Sequence, residues 1–368
     1  MTDNDSDVHA EARAKYGKVE PEGPDPFANG EWEPEAKQTQ EEKVYAERLA
    51  KYQSALCTFA EFCELDVKPR ERLIGKWMRE GDTGFIFGQR GTGKTWLVDL
   101  IISHVSSGRD IDEEWDVPTQ QSVLLVDGEM PWDDTRSRLL GLGADKNFLR
   151  ILHHEVLFDR TGLTMNLTNP KVQQIITQLC EDAKARLLVL DTQSSLFRGM
   201  AEKDSDAWEL VIDWLLSLRR RRITTLIVLH SGWTDDHARG TSRREDDAFW
   251  VVQVKQSLDQ NPGEPGCKFE TNFTKWRNLD AKPNTRIWHV VTEPDGSVTY
   301  NCDELSFDEK VLNLIRDGLA TASVIAEELG CNRSTVTRAA DRLEEKKLIE
   351  RRGSGTHITY EPRGWCRK

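Results

Sequence analysis

The stretch Gly88-Gln89-Arg90-Gly91-Thr92-Gly93-Lys94-Thr95 decides the fold class of this chain. It matches the pattern G-x-x-x-x-G-K-[ST], and it stands between the apolar run 84–87 and a helical pattern that begins at Lys94. Glycines allow backbone N–H groups to close around phosphates, and the helix N-terminus adds the positive end of its dipole. We therefore predict an ATP-binding loop that extends from Gly88 to Trp96.

Three residues are predicted to have specific roles in this site. Lys94 is expected to reach the β- and γ-phosphates as a catalytic cation, and the Thr95 hydroxyl is expected to bind Mg²⁺. Asp191 ends the apolar run 187–191 and is the predicted carboxylate of the Mg²⁺ shell. An Asp in this place can also cap a helix, which is the alternative interpretation of Asp191.

Two further side chains are candidates for contact with the γ-phosphate. Glu129 follows the apolar run 122–127 and can orient the attacking water. Asp127 is the competing candidate, and its alternative role is to fix the turn. His230 follows the run 224–229 and is a candidate sensor of the γ-phosphate, with a structural histidine at a strand end as the alternative.

The four apolar runs alternate with helical patterns near 94–105, 134–144, 170–184 and 207–221. Strands that are apolar throughout and alternate with helices indicate a parallel sheet covered on both faces. The alternation at Phe269, Thr271 and Phe273, followed by the segments 287–291 and 298–300, predicts antiparallel strands that extend this sheet. One or two amphipathic helices are expected before the sheet, over 42–64.

The C-terminal segment has the pattern of a winged helix-turn-helix. Helices are predicted over 308–317, 321–329 and 333–347, with Asn332 or Ser334 as the cap of the third helix. At the start of that helix Arg333 and Arg338 suit a DNA major groove, and in the wing Arg351 and Arg352 suit the DNA backbone. Acidic and basic residues are equal in number over 303–368, so docking of a protein remains the alternative.

The fold class is therefore predicted to be α/β, with a RecA-like P-loop core on a mainly parallel sheet and a small C-terminal winged helix-turn-helix domain. The predicted domains are a disordered acidic tail over 1–43, the ATPase domain over 44–302 and the winged helix over 303–368. The tail has four prolines, few apolar residues and about half of the net charge of −13. Docking of a peptide around Trp32 is the alternative for the tail.

Composition sets the expected location of the chain. Its seven cysteines form no C-x-x-C pair, which indicates reduced thiols in a cytoplasm and disfavours a zinc site or a disulfide framework. The sequence has no apolar run of 18 residues and no signal peptide pattern at its start, so no membrane span is expected.

With these positions in place, the chain resembles the RepA-type ATPases of plasmids and phages, RecA-fold proteins that assemble as hexameric replicative helicases. The resemblance covers about residues 66–295. It rests on the phosphate-binding loop and on the segments 69–71, 126–130, 190–193, 204–219, 239–246 and 273–278. Of these, the block Arg-Gly-Thr-Ser-Arg-Arg-Glu-Asp at 239–246 is the most specific.

The resemblance implies roles for several residues. Glu129 corresponds to the catalytic glutamate. Lys275 and Arg277, taken as two residues on one face of a strand, correspond to a finger pair that enters the ATP site of a neighbouring subunit. Two exposed strand cations without such a role are the alternative.

The segment 231–248 resembles the loop that lines the central channel of ring helicases. The cations that it offers to single-stranded DNA are Arg239, Arg243 and Arg244. Alternatively, Arg243 and Arg244 pair with the acidic residues 245–247. The loop 196–206, with Arg198 and Lys203, is a weaker candidate for DNA contact.

The chain departs from the family pattern at two places. Family members often have two histidines and then Gly-Lys after this strand, whereas this sequence reads Leu229-His230-Ser231-Gly232-Trp233. The pair Phe249-Trp250 stands where an acidic and an aliphatic residue are usual.

The predicted function is that of a Mg²⁺–ATP-driven DNA helicase or translocase of mobile-element replication. It is expected to form a homo-hexamer, to move on single-stranded DNA and to have replication proteins as further partners. One alternative is a RecA-like ATP switch that loads or remodels a replication or recombination complex without processive unwinding. Another is an ATP-dependent DNA-binding regulator that acts through the winged helix.

Overall fold

The computed structural model describes residues 40–199, 205–230, 247–257, 260, 263–353 and 358–363. These residues belong to two compact units, which divide between Lys68 and Pro69. The first unit contains helices α1 (Gln40–Ala55) and α2 (Phe59–Cys63), where the sequence predicts one or two helices over 42–64. Thr58 and Glu61 form a capping box that begins α2. All side chains described in this unit are exposed.

The second unit is built on a nine-stranded sheet with the strand order β11-β10-β9-β8-β3-β7-β6-β4-β5. Strands β5, β4, β6, β7, β3 and β8 are parallel, and β9 to β11 extend the sheet as antiparallel strands. A short hairpin precedes it. The bounds are β1 Arg72–Ile74, β2 Met78–Arg79, β3 Thr83–Gly88, β4 Val123–Asp127, β5 Leu149–His153, β6 Leu187–Asp191, β7 Thr224–His230, β8 Trp250–Gln256, β9 Cys267–Trp276, β10 Arg286–Thr292 and β11 Val298–Glu304.

Helices cover both faces of this sheet. On β3, Ile86 belongs to one buried core, whereas Phe85 and Phe87 belong to the other, as expected from the alternation of side chains along a strand. The first core includes α3, and the second includes α6 and α8. The helices are α3 Lys94–Ser107, α4 Trp132–Gly141, α5 His154–Thr161, α6 Pro170–Asp182, α7 Gln193–Leu196 and α8 Ser205–Arg220.

The C-terminal segment has its own buried core. Helices α9 (Phe307–Arg316), α10 (Ala322–Glu328) and α11 (Arg333–Glu345) precede the antiparallel pair β12 (Ile349–Arg352) and β13 (Thr359–Pro362). Ser306 and Glu309 form a capping box at α9. The N-cap of α11 is Asn332, although its side chain makes no capping hydrogen bond.

The fold class predicted from the sequence is confirmed. The domain bounds stay predictions, and most of the predicted tail lies outside the described residues. Among the helices that the structure describes, none combines the length and the apolar character needed to cross a membrane.

Candidate nucleotide-binding site

The site lies at the edge of the sheet where the parallel strands end. Gly88 ends β3, Asp127 ends β4, Asp191 ends β6 and His230 ends β7. Gly88 is in register with His230, and Asp127 is in register with Asp191. Ligands of open α/β sheets bind at this edge because strand ends and helix N-termini meet there.

The predicted phosphate-binding loop connects β3 to α3. Its turn requires left-handed backbone at Gly91, with φ +77°, and at Gly93, with φ +98°. A Cβ atom at Gly93 would also lie 2.4 Å from the ring of Phe269. Glycine at 93 therefore satisfies both the backbone and the close packing, and it leaves the N–H groups of the first turn of α3 available to an anion.

Lys94 is the buried cation of this loop. Its ammonium donates a hydrogen bond to the backbone carbonyl of Gln89. Burial lowers the pKa of Lys94 to about 8, while the negative charges of Asp191 and Glu129 partly oppose this shift. The negative charge of a bound phosphate would offset the cost of burying the Lys94 ammonium, so Lys94 fits the predicted contact with ATP. Thr95 follows at the start of α3 and is half-buried.

Asp191 fits the predicted role in a Mg²⁺ site. Its side chain is buried, and its Oδ1 has no hydrogen-bond partner among the described residues. Burial raises the pKa of Asp191 to about 8, and the nearby carboxylates of Asp127 and Glu129 raise it further. A divalent cation would relieve this repulsion. The capping of α7 belongs to Thr192 and not to Asp191.

The contacts of Asp127 favour Glu129 as the carboxylate that faces the γ-phosphate. Asp127 is buried, and its Oδ1 accepts hydrogen bonds from the backbone N–H groups of Glu129 at 3.0 Å and Met130 at 3.1 Å. Its Oδ2 accepts a hydrogen bond from Thr135 Oγ1 at 2.7 Å. Asp127 therefore fixes the turn, while the side chain of Glu129 stays 41% exposed.

Glu129 lies between His230 and Thr192. Its Oε2 is 3.4 Å from His230 Nε2 and accepts a hydrogen bond from Thr192 Oγ1 at 2.7 Å. The 3.4 Å contact is within ion-pair distance but is not an aligned hydrogen bond, since neither ring nitrogen of His230 has a hydrogen-bond partner among the described residues. The imidazole of His230, followed by the Thr192 hydroxyl, lowers the pKa of Glu129 to about 2. Glu129 is thus an ionised side chain that can hold a water molecule.

Sequence reasoning missed Thr192 and a second group formed by α3 and α4. Arg138 lies 4.5 Å above the ring of Trp96, and its guanidinium is 3.9 Å from Asp99 Oδ2. Burial raises the pKa of Asp99, and the charge of Arg138 opposes this shift. Because the ring of Trp96 packs against Arg138, any contact of Trp96 with phosphate would use its backbone N–H. Spacing alone did not indicate Arg138 or Asp99.

The predicted finger pair lies at the opposite edge of the sheet. Lys275 is in β9, but the strand ends at Trp276, so Arg277 is in the following turn and the expectation that both share one strand face is wrong. The backbone N–H of Arg277 donates a hydrogen bond to Phe249 O at 2.7 Å, which fastens the turn to the residue that precedes β8. Trp276 pairs with Trp250, which is level with Gly84 at the start of β3.

The predicted DNA contacts are only partly described. Arg239, Arg243, Arg244 and Lys203 lie outside the described residues, as do residues 231–233. Arg198, Arg333 and Arg338 are exposed. The wing arginines already have acidic partners: Arg351 is paired with Asp341 and Glu344, and Arg352 with Glu350 and Glu361.

Two protein families match parts of the chain. A model of the AAA domain family matches residues 47–236, just over half of the chain, and a model of the MarR family matches residues 311–357. A search of curated proteins gives no match. Among solved structures, the chain is similar to a KaiC-like protein from the archaeon Pyrococcus horikoshii, at 16% identity and a TM-score of 0.44, over 63% of this chain and 100% of that one.

Proposed function

The chain belongs to the AAA domain family, and on this basis we propose that it is a Mg²⁺-dependent ATPase that hydrolyses ATP between subunits of a homo-hexameric ring and moves on single-stranded DNA. The observation that carries the proposal is the convergence of Lys94, Asp191 and Glu129 from three separate segments. The negative charges of Asp191 and Glu129 both raise the pKa of Lys94, which burial lowers. In addition, Asp191 Oδ1 has no hydrogen-bond partner among the described residues.

Each residue has a chemical part in this proposal. The N–H groups at the start of α3 and the Lys94 ammonium hold the β- and γ-phosphates. Thr95 and Asp191 hold Mg²⁺, which when bound neutralises charge on the phosphate oxygens. Glu129 orients the attacking water, and Asp127 fixes the backbone that carries Glu129. His230 contacts the same carboxylate and can transmit its state to the segment that follows β7.

The position of Arg277 supports a site that is completed by a second subunit. Trp276 is level with Gly84, and Gly88 is four residues further along β3, which at 3.3 Å per residue is about 13 Å. Arg277 therefore lies near the amino end of β3, whereas the phosphate-binding loop of the same subunit follows the carboxyl end of β3, too far away for Arg277 to reach it. A cation supplied by a neighbour typically raises the rate of phosphoryl transfer by about 10³–10⁵.

Contact with DNA is proposed for two regions. The segment 231–248 would hold single-stranded DNA through Arg239, Arg243 and Arg244. The winged helix would add Arg333 and Arg338, which are exposed at the start of α11.

The first experiment measures ATP binding and hydrolysis separately. Lys94→Ala is expected to abolish turnover, whereas Glu129→Gln is expected to keep nucleotide binding and stop hydrolysis. Lys76→Ala removes an exposed lysine of the β1–β2 hairpin and is the matched control, with unchanged turnover. Full hydrolysis by Glu129→Gln would contradict the assignment of the catalytic carboxylate.

The second experiment is an unwinding assay on forked DNA, with omission of nucleotide as the control. ATP-dependent strand separation supports the helicase. ATP hydrolysis without strand separation supports the alternative, a RecA-like switch that loads or remodels a complex, and the single histidine at the end of β7 favours that candidate. Loss of all DNA binding on deletion of 303–368 would support a regulator that acts through the winged helix.

A further inference from the structure

A partly buried group of polar side chains holds the turn that follows β9. We call it the Asn278 clamp, formed by the side chains of Asn278, Asp82 and Arg70 and the carbonyl of Trp77. Asn278 Nδ2 donates hydrogen bonds to Asp82 Oδ2 at 2.6 Å and to Trp77 O at 2.8 Å. Asn278 Oδ1 accepts a hydrogen bond from Arg70 at 3.2 Å, and Arg70 also forms an ion pair with Asp82.

The clamp uses both the amide nitrogen of Asn278 as a donor and its carbonyl oxygen as an acceptor. Asp82 is fully buried immediately before β3, and its Oδ2 also accepts a hydrogen bond from the backbone N–H of Arg79 at 2.8 Å. A carboxylate at 278 could not donate to Asp82 and would repel it, and an apolar side chain would leave buried partners unsatisfied. The position therefore demands an amide.

A second contact fastens the same turn from the other side. The backbone N–H of Arg277 donates to Phe249 O at 2.7 Å. The ring of Phe249 contacts two guanidinium groups, and its centroid is 4.8 Å from the Cζ atom of Arg70 and 4.5 Å from the Cζ atom of Arg219. Cation–π attraction to these two groups holds Phe249 in place. This contact gives a physical reason for the aromatic residue at 249, and Arg70 connects it to the clamp.

These contacts hold the backbone of residues 277 and 278, while the side chain of Arg277 is exposed. We propose that Asn278 is a positioning residue, which fixes the turn so that Arg277 is presented to the ATP site of the neighbouring subunit. This inference rests on the proposed function, because it requires that Arg277 acts across an interface. A displacement of about 1 Å at a catalytic group can cost about 10²-fold in rate.

The test begins with ATP turnover by the full-length protein. Asn278→Ala is expected to lower kcat by about 10- to 100-fold with little change in the KM for ATP, since the nucleotide contacts of its own subunit are untouched. Asn284→Ala is the matched control, because Asn284 is exposed and its side-chain amide donates a hydrogen bond to Glu304 at 3.0 Å, outside the set of contacts that forms the clamp. It should stay within twofold of the unchanged protein. A kcat for Asn278→Ala within threefold of the unchanged protein would overturn the proposal.

Mixed assemblies then separate positioning from simple damage. Asn278→Ala subunits have an intact ATP site, and Glu129→Gln subunits have an intact Arg277. In an equal mixture, roughly a quarter of the interfaces of a closed ring combine the two intact halves, so turnover should rise above that of either variant alone. Arg277→Ala mixed with Glu129→Gln is the companion arm and should recover in the same way.

The two mixing experiments distinguish a failure of the role proposed for Asn278 from a failure of the role proposed for Arg277. Recovery with Arg277→Ala but not with Asn278→Ala would overturn the role of Asn278 and leave the finger in trans intact. Recovery in neither arm would overturn the finger itself. If Asn278→Ala does not fold, Arg70→Lys replaces it, because this change removes the planar contact with Asn278 but keeps a cation beside Asp82. The same outcomes then apply.

Discussion

Replacement of Asp191 by Asn should stabilise the nucleotide-free protein while it stops ATP hydrolysis. Burial, together with Asp127 and Glu129, raises the pKa of Asp191 to about 8. The folded state therefore binds a proton at Asp191 more tightly than the unfolded chain does. It follows that the contribution of Asp191 to the free energy of unfolding falls as pH rises from about 4 to about 8 and is level above that range.

The size of the effect follows from the shift. From an ordinary value of 3.8, the cost of this carboxyl at pH 7 is about 4 kcal/mol, because one pKa unit corresponds to about 1.4 kcal/mol. Asn removes that cost, but it buries an amide at a position where one side-chain oxygen has no hydrogen-bond partner among the described residues, and an unsatisfied buried polar group costs about 1–3 kcal/mol. A net gain of about 2 kcal/mol remains, which corresponds to a rise in Tm of about 4–8 °C.

The assay is thermal unfolding between pH 5.5 and 8.5 in EDTA, followed by a repeat with Mg²⁺ and ADP. Asp191→Asn should have the higher Tm at pH 8, and the difference should shrink as the pH falls. Mg²⁺–ADP should stabilise the unchanged protein more than the variant, because Asn is the weaker ligand. The reasoning would be refuted if Asp191→Asn had a lower Tm than the unchanged protein at pH 8 in EDTA. It would also be refuted if the Tm of both proteins changed equally with pH.

Three further outcomes are expected. Asp127→Asn should lower kcat at least about tenfold and leave nucleotide affinity unchanged, because it loosens the turn that carries Glu129; single-turnover kinetics and nucleotide titration check this. Phe249→Leu should lower the free energy of unfolding in urea by about 1–3 kcal/mol, since two cation–π contacts are lost. Arg333→Ala should weaken DNA binding and reduce its salt dependence, whereas Arg351→Ala should lower Tm but not DNA affinity, because Arg351 is already paired with Asp341 and Glu344.

The sequence was sufficient for four of the six parallel strands, β3, β4, β6 and β7. Strands such as 187–191 are short runs of mostly apolar residues, and such runs are typical of parallel strands that are covered by helices on both faces. Strand β5 was missed because it is an edge strand in which only one of the five side chains is buried, so it has no long apolar run. Strand β8 was missed because its sequence leads directly into the alternating region.

The candidate site was predicted in its residue types but not in its contacts. A local motif indicates Lys94 and Thr95, since the chemistry needs them next to each other. Thr192 and Arg138 are brought to the site by tertiary packing, and no spacing in the sequence reports that. The clamp around Asn278 joins residues about 200 positions apart, so only the fold could place them together.

The central claim is that one subunit's phosphate-binding loop is completed by cations of the next subunit. The most direct measurement is an electron-microscopy structure of the protein with a non-hydrolysable ATP analogue and single-stranded DNA, from which the distance between Arg277 and the nearest γ-phosphate is read. We predict a ring in which that distance is about 3–4 Å and the phosphate belongs to the neighbouring subunit. A single subunit under these conditions, or a ring in which Arg277 faces solvent, would contradict the account.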